Sequence, residues 1–325
     1  MKTYDFSEYE VDVRSYGGSD GKKNILLDGK YYMVKMPNHQ EAVNSLQTSV
    51  SNNVISEYIG SEIMSSLGLD THHTLLGYWK DEIVVACEDF RMEGYELHEF
   101  SWYMQNVIPK EKIGKIPTYN QLYKTFNECP FLQPIRQQSI ERYWNTIIGD
   151  ALIGNFDRHK DNFGFLTNGI NIYPAPIYDC GACLYPQLSE ESFEFVLSSE
   201  HEIMVRMYDF PKIALNQNDN KNRENKFKYF ELLSSNFDKE CTKALLRIYE
   251  EIDMEKVHSI VEGTPFISDV RKNFYNKMLD YRKELILDKA YSIVTDLKEV
   301  KDNPDAYYEP FSREQLGKSD NYNII

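Results

Sequence analysis

The sequence has no run of apolar residues approaching the roughly 18–20 that a membrane-spanning helix needs. Its first residues, Met1-Lys2-Thr3-Tyr4-Asp5-Phe6, lack the apolar core of a secretory signal. It is also short of positive charge: 36 Lys and Arg stand against 51 Asp and Glu, a net charge of −15. So acidic a chain repels phosphate backbones, which argues against general nucleic-acid binding, although one metal-lined cleft can still hold a nucleotide. Cysteine is sparse and odd in number, at positions 87, 129, 180, 183 and 241 of 325 residues. That fits a reducing compartment better than a disulfide framework, so a cytoplasmic protein is expected. Cys180-Gly181-Ala182-Cys183 has no second pair to complete a zinc site and reads as two reduced thiols. His72-His73 lacks Cys or carboxylate company and reads as no metal site either. Internal repeats and low-complexity segments are absent.

What is present is patterned for a globular fold. Residues 22–28 and 31–36 read as strands joined at Asp28-Gly29-Lys30, where Asp-Gly is a strong hairpin signal. A second pair, 74–79 and 82–87, meets across Lys80-Asp81. Between the pairs, Ile55, Ile59, Ile63 and Leu67 step by four along a helix at 52–67, and Gly68 is its natural stop. After Glu88 the chain turns helical. Trp144, Ile147, Ile148, Ala151 and Leu152 share one face of a helix at 141–153 that ends at Gly154. Short strands around the Asn168-Gly169 turn follow within 155–186. Helices are then expected at 226–235, 238–252, 255–261 and, as one long element, near 267–297. The expected architecture is α+β and bilobal: a small β-rich lobe with one helix at 1–88, a larger, mostly helical lobe at 89–300, and a flexible tail at 301–325. The connector falls near 86–92, with a cleft at the join.

The residues that carry chemistry lie on this frame in a telling order. Phosphoryl transfer needs Mg²⁺ on the phosphates, a cation on the triphosphate and a carboxylate to orient or deprotonate the acceptor hydroxyl. Asp157 and Asn162 are five apart in a loop after a buried helix, the spacing of kinase catalytic loops. The carboxylate suits the acceptor proton, and the amide oxygen is a hard ligand for Mg²⁺. Asp179 follows an apolar strand and precedes Cys180-Gly181, the place of a second metal ligand. Lys35, at the end of Tyr32-Met33-Val34-Lys35, is the candidate triphosphate clamp. Glu57 on the next helix is its candidate partner, with Glu62 in competition. Gly17, Gly18 and Gly21 form a glycine-rich loop before the first hairpin, open to phosphate through its backbone N–H groups or serving as a plain turn. It is not a Walker A loop, since the spacing differs, no Ser or Thr follows Lys22, and a strand rather than a helix comes next.

Gly154-Asn155-Phe156-Asp157-Arg158-His159-Lys160-Asp161-Asn162-Phe163-Gly164 resembles the Gly-Asn-x-Asp-Arg-His-x-x-Asn-x-Gly loop of the HipA-like serine/threonine kinases. Over roughly residues 14–300 the chain is most similar to short, stand-alone members of that family. The resemblance implies a protein-kinase-like fold and ATP- and Mg²⁺-dependent transfer to Ser or Thr of a protein. By position, it implies Asp157 as catalytic base, Asn162 and Asp179 on the metal, and Lys35 on the α- and β-phosphates. Glu88-Asp89-Phe90 would be the hinge at adenine, His159 would join the nucleotide pocket, and Ser19 in the glycine-rich loop would be autophosphorylated. HipA toxins carry a further N-terminal subdomain and pair with a DNA-binding antitoxin. Here the glycine-rich loop arrives by residue 17, so no antitoxin partner is expected. A small-molecule or lipid kinase, or a silent pseudokinase acting as a binding module, are the competing readings.

Overall fold

The computed structural model describes residues 3–12, 23–38, 47, 51–218 and 225–308. Six strands form one sheet: β1 (Tyr4–Asp5), β2 (Val11–Asp12), β3 (Lys23–Leu27), β4 (Lys30–Lys35), β5 (Thr74–Trp79) and β6 (Glu82–Glu88), in the order β1-β5-β6-β4-β3-β2. The β3–β4 turn is made by Asp28 and Gly29 at φ 50° and 79°. Two consecutive left-handed residues are what a type I′ turn demands, and the twist of that turn matches the strands it joins.

Strand alternation then sorts the side chains. Tyr32 and Val34 of β4 share one face with Ile25, Leu27, Val84 and Ala86, closed over by Phe6. Met33 and Lys35 point to the other face, beside their register partners Cys87 and Val85. That second face receives α1 (Asn53–Ser66), which Gly68 at φ 77° brings to an end. Val85 and Cys87, together with Ile55, Ile59 and Ile63 of α1, join the core of the large lobe rather than making one of their own. The lobes therefore share apolar packing, and only the outer face of the sheet has a separate cluster.

Beyond the connector, β7 (Glu96–Glu99), β8 (Gly164–Thr167) and β9 (Ile172–Pro174) form a three-stranded sheet in that order. A wholly helical start after Glu88 is thus corrected: Glu-Leu-His-Glu carries no apolar alternation of its own and becomes a strand by pairing with a distant hairpin. Short α2 (Phe100–Met104) and α3 (Tyr119–Glu128) lead to α4 (Arg136–Ile153), the central helix. α4 begins five residues before the expected start at 141, because its first turn, Arg136-Gln137-Gln138, is polar and adds nothing to the apolar pattern. Another correction falls later: β10 (Lys212–Asn216) pairs antiparallel with β11 (Lys226–Lys228), so the helix expected at 226–235 spans only Tyr229–Leu233. Helices Lys239–Tyr249 and Met254–Gly263 follow. The long element expected near 267–297 is Asp269–Arg282 and Lys289–Asp296 with a π-helical stretch, Lys283–Asp288, between them. Of the expected flexible tail, residues 301–308 are mostly exposed but anchored by Tyr307, buried at 1% exposure, and 309–325 lie outside the described residues. The aromatic Tyr307 draws this segment down, its hydroxyl donating to Glu299 Oε1 at 2.7 Å.

Candidate active site

The loop at 154–162 is built on the end of α4. Gly154 takes φ 69°, which turns the chain out of the helix. Asn155 then folds back, its Nδ2 donating to Asp150 Oδ1 at 2.9 Å. Asp150 sits wholly buried in a stretch of α4 that is covered on every side, and such a carboxylate must be paired. Its partner is Arg158, whose Nε donates to Oδ2 at 3.0 Å and Nη2 to Oδ1 at 3.2 Å. The same guanidinium reaches the carbonyls of Asn162 (3.0 Å) and Tyr178, and Cys180 Sγ at 3.4 Å. Burial alone would push the guanidinium down, but Asp150 outweighs it and holds Arg158 well above its ordinary value. Arg158 is thus the rivet joining helix, loop and the segment that carries Asp179.

Within the loop, the Asp157 carbonyl accepts from the His159 N–H and from Asn162 Nδ2, both at 2.7 Å. With its amide nitrogen so used, Asn162 has Oδ1 left for an outside ligand. The Asp157 carboxylate is 42% exposed and open to an acceptor. His159 Nδ1 accepts the Asp161 N–H at 3.2 Å, which puts the ring proton on Nε2, 3.8 Å from Asp157 Oδ1.

Opposite this loop, Lys35 Nζ lies 3.0 Å from Glu57 Oε2 and 3.0 Å from Asp179 Oδ1. The sequence left Glu57 and Glu62 in competition; the structure pairs Lys35 with Glu57. Desolvation would lower the Lys35 ammonium, but Asp179 and Glu57 raise it well above its usual value. Burial likewise pushes the Glu57 carboxyl up, and Lys35 and a hydrogen bond from His72 overcome this to hold it below the usual carboxylate range. Glu57 Oε1 also accepts from the Cys180 N–H at 3.1 Å, and Oε2 from the Gly181 N–H at 2.9 Å. Gly181 allows that approach: a Cβ there would stand 3.2 Å from Glu57 Oε2 and from the Asn53 carbonyl. Asp179 itself takes φ 60°, a left-handed conformation that Asp tolerates better than most residues.

At the connector, the carboxylates of the expected hinge are already engaged. Glu88 pairs with Lys30 at 2.8 Å, and Asp89 is gripped by Arg91 Nε (2.9 Å) and Nη2 (2.7 Å). The Phe90 ring stacks on Tyr178 with centroids 5.7 Å apart. Lys35, Glu88, Asp89, Phe90, Asn162 and Asp179 all line one cleft of about 820 Å³, a size that suits a small-molecule ligand. Asp157 and His159 stand on the loop beside it rather than on its wall. Asn162 and Asp179 bring hard oxygen donors to the same space, a donor set that fits Mg²⁺. Gly17, Gly18, Ser19 and Gly21 lie outside the described residues.

Sequence reasoning passed over Asp150 and misjudged the surroundings of His72. Asp150 lies off the apolar face of its helix, so its spacing alone reads as a solvent-facing charge. The expectation that His72 lacks carboxylate or Cys company is corrected: Glu57 and Cys87, distant in sequence and on other elements, both come close to its ring. The two cysteines of Cys180-Gly181-Ala182-Cys183 are free and buried, burial pushing the Cys180 thiol up to about 12. Among the described residues, no helix is long and apolar enough to cross a membrane.

Residues 14–260 match the family model described as HipA-like C-terminal domain. The chain is 38% identical over 312 residues to the serine/threonine-protein kinase CtkA of Helicobacter pylori strain J99, covering 94% of both chains. It superimposes on the crystal structure of a Helicobacter pylori proinflammatory kinase CtkA with a TM-score of 0.83 at 37% identity, over 91% of this chain and all of that one. The Shewanella oneidensis HipA, solved with HipB and its operator DNA, is similar in fold, with a TM-score of 0.50 at 14% identity over 89% of this chain and 70% of that one.

Proposed function

The chain belongs to the HipA-like C-terminal domain family and is a serine/threonine-protein kinase, and on that premise we propose that it uses ATP and Mg²⁺ to phosphorylate Ser or Thr of a protein. The observation that carries this reading is the meeting of Lys35, Asn162 and Asp179, from three separate elements, in one cleft beside Asp157. Asp157 accepts the proton of the acceptor hydroxyl; its partial exposure leaves it reachable, and His159 Nε2 faces its carboxylate. Lys35 clamps the α- and β-phosphates and is kept charged by Glu57 and Asp179. Asn162 and Asp179 would hold Mg²⁺, which when bound neutralises charge on the triphosphate. With the Glu88 and Asp89 side chains engaged locally and their N–H groups donating to the His73 and Tyr31 carbonyls, adenine recognition falls to the remaining backbone groups of 88–90 and to the Phe90 ring. Gly17, Gly18 and Gly21 cover the phosphates in this proposal, and Ser19 is the site of autophosphorylation. The acceptor is a protein; a net charge of −15 argues against nucleic acid as a partner. The five buried, free cysteines support a reducing, cytoplasmic setting.

The test is transfer of radiolabelled phosphate from ATP to protein acceptors and to the chain itself, with phosphosite mapping. Asp157→Asn is expected to lower the rate by about a hundredfold or more. Undiminished transfer by that variant would remove Asp157 from its role. Transfer to lipid or small-molecule acceptors alone would replace the protein substrate.

A further inference from the structure

His72 takes no part in the chemistry assigned above, yet it is buried, 5% exposed, against the Glu57 carboxylate. Its Nε2 stands 3.0 Å from Glu57 Oε1 and 3.1 Å from Ser61 Oγ. Glu57 is held in its ionised form and has no proton to offer, so the proton in this contact sits on Nε2 and the ring donates. That bond fixes the rotation of the carboxylate. Oε1 is taken by His72 and the Cys180 N–H, which leaves Oε2 to Lys35 and the Gly181 N–H.

The backbone of His72 is anchored to the other wall of the cleft. Its N–H donates to the Ile177 carbonyl at 2.9 Å, and the Ile177 N–H donates to the Asp70 carbonyl at 2.8 Å, two residues before Asp179. Asp70 is in turn held by Arg142 of α4, with 2.9 Å contacts to its carbonyl and its carboxylate. One residue therefore references the Lys–Glu pair of the small lobe to the aspartate loop and the central helix of the large one. The ligand atoms of Glu57, His72 and Cys87 also lie within 4.8 Å of one another, a spacing that would admit a metal ion. The Lys35 ammonium at 3.0 Å and the donors already on Glu57 favour the hydrogen-bonded role instead.

We propose that His72 is a positioning residue for phosphoryl transfer: by donating to Glu57 it sets the carboxylate that aims Lys35 into the cleft. The inference rests on the kinase reading and adds a residue to it. Being aimed at Lys35, the effect belongs to kcat and not to capture of the acceptor protein.

His72→Phe removes the donor while filling its space, and His72→Asn, whose shorter amide cannot reach Glu57, removes it in a second way. His72→Gln returns an N–H near the position of Nε2. Each full chain is compared with wild type by kcat, by KM for the acceptor, and by amide hydrogen exchange over residues 178–184 without nucleotide. The donor-deleted variants are expected to lose about tenfold or more in kcat with acceptor KM within about twofold. Their Cys180 and Gly181 amides are expected to exchange about tenfold faster, with His72→Gln near wild type in both readouts. Wild-type kcat and exchange in the donor-deleted variants would overturn the inference, as would equal losses in all three, which would mean packing rather than donation. Exchange needs no turnover, so it decides the role of His72 even if the wild type transfers no phosphate. That last result would count against the kinase reading alone.

Discussion

Arg158 shows how much one residue of the catalytic loop is asked to do without touching the chemistry. Its guanidinium is fully committed to Asp150, two carbonyls and a thiol, all in a place water does not reach. Arg158→Ala would leave the buried Asp150 carboxyl without its cation, at a cost of about 3–5 kcal/mol in unfolding free energy, to be read by denaturant titration. Arg158→Lys is expected to fall well short of rescue, because a point charge cannot serve the four acceptors that a planar fork serves. Little of this shows in the sequence. Asp157, Asn162, Asp179 and Lys35 are legible there because their residue types and spacing match what phosphate chemistry requires. Asp150 and His72 are not, since their meaning lies in partners that only the fold brings near: Arg158 across a turn, and Glu57 across two elements.

Elements that carry their own signals were legible, and those defined by their neighbours were not. The β3–β4 hairpin follows from Asp28-Gly29 alone, and α1 from its four-residue apolar step. By contrast β7, β10 and β11 are short, lack alternation and exist through pairing. The packing of α1 against the 180–183 turn is of the second kind. It depends on Gly60, where a Cβ would come 2.8 Å from Cys183 Sγ and 2.9 Å from Cys180 Cβ. Alanine ordinarily stabilises a helix by about 1 kcal/mol over glycine. Gly60→Ala is expected to reverse that sign and lower Tm, because both neighbours are buried and cannot retreat. It should also depress kcat, since the turn it displaces begins at the residue after Asp179. A Tm at or above wild type would show that the turn yields freely.

At the scale of the molecule, the α+β, two-lobed plan was readable from strand patterns giving way to helix patterns along the chain. The sharing of core between the lobes was not. Periodicity shows which face of α1 is apolar, but not that this face completes the core of the large lobe. Bilobal chains often melt in steps, but lobes joined by common apolar packing and by the Glu57 contacts are expected to unfold together. Calorimetry should therefore show one transition, with calorimetric and van't Hoff enthalpies in agreement. A Mg²⁺-bound, non-hydrolysable ATP analogue at a hundred times its Kd should add about 2.7 kcal/mol and move that transition upward. Two separate transitions, only one of them moved by nucleotide, would show lobes that stand apart. The grip on Glu57 also bears on how such an enzyme could be blocked. A compound that worked by prising α1 from the sheet would have to strip Lys35, His72 and two backbone N–H groups from a carboxylate 1% exposed. Bonds to a charged group contribute about 1.5–3 kcal/mol each, and such a compound would have to offset the loss of all of them from the pocket it opened. Inhibitors for this cleft are better drawn to the shape it already has, with the Phe90–Tyr178 stack as their flat wall.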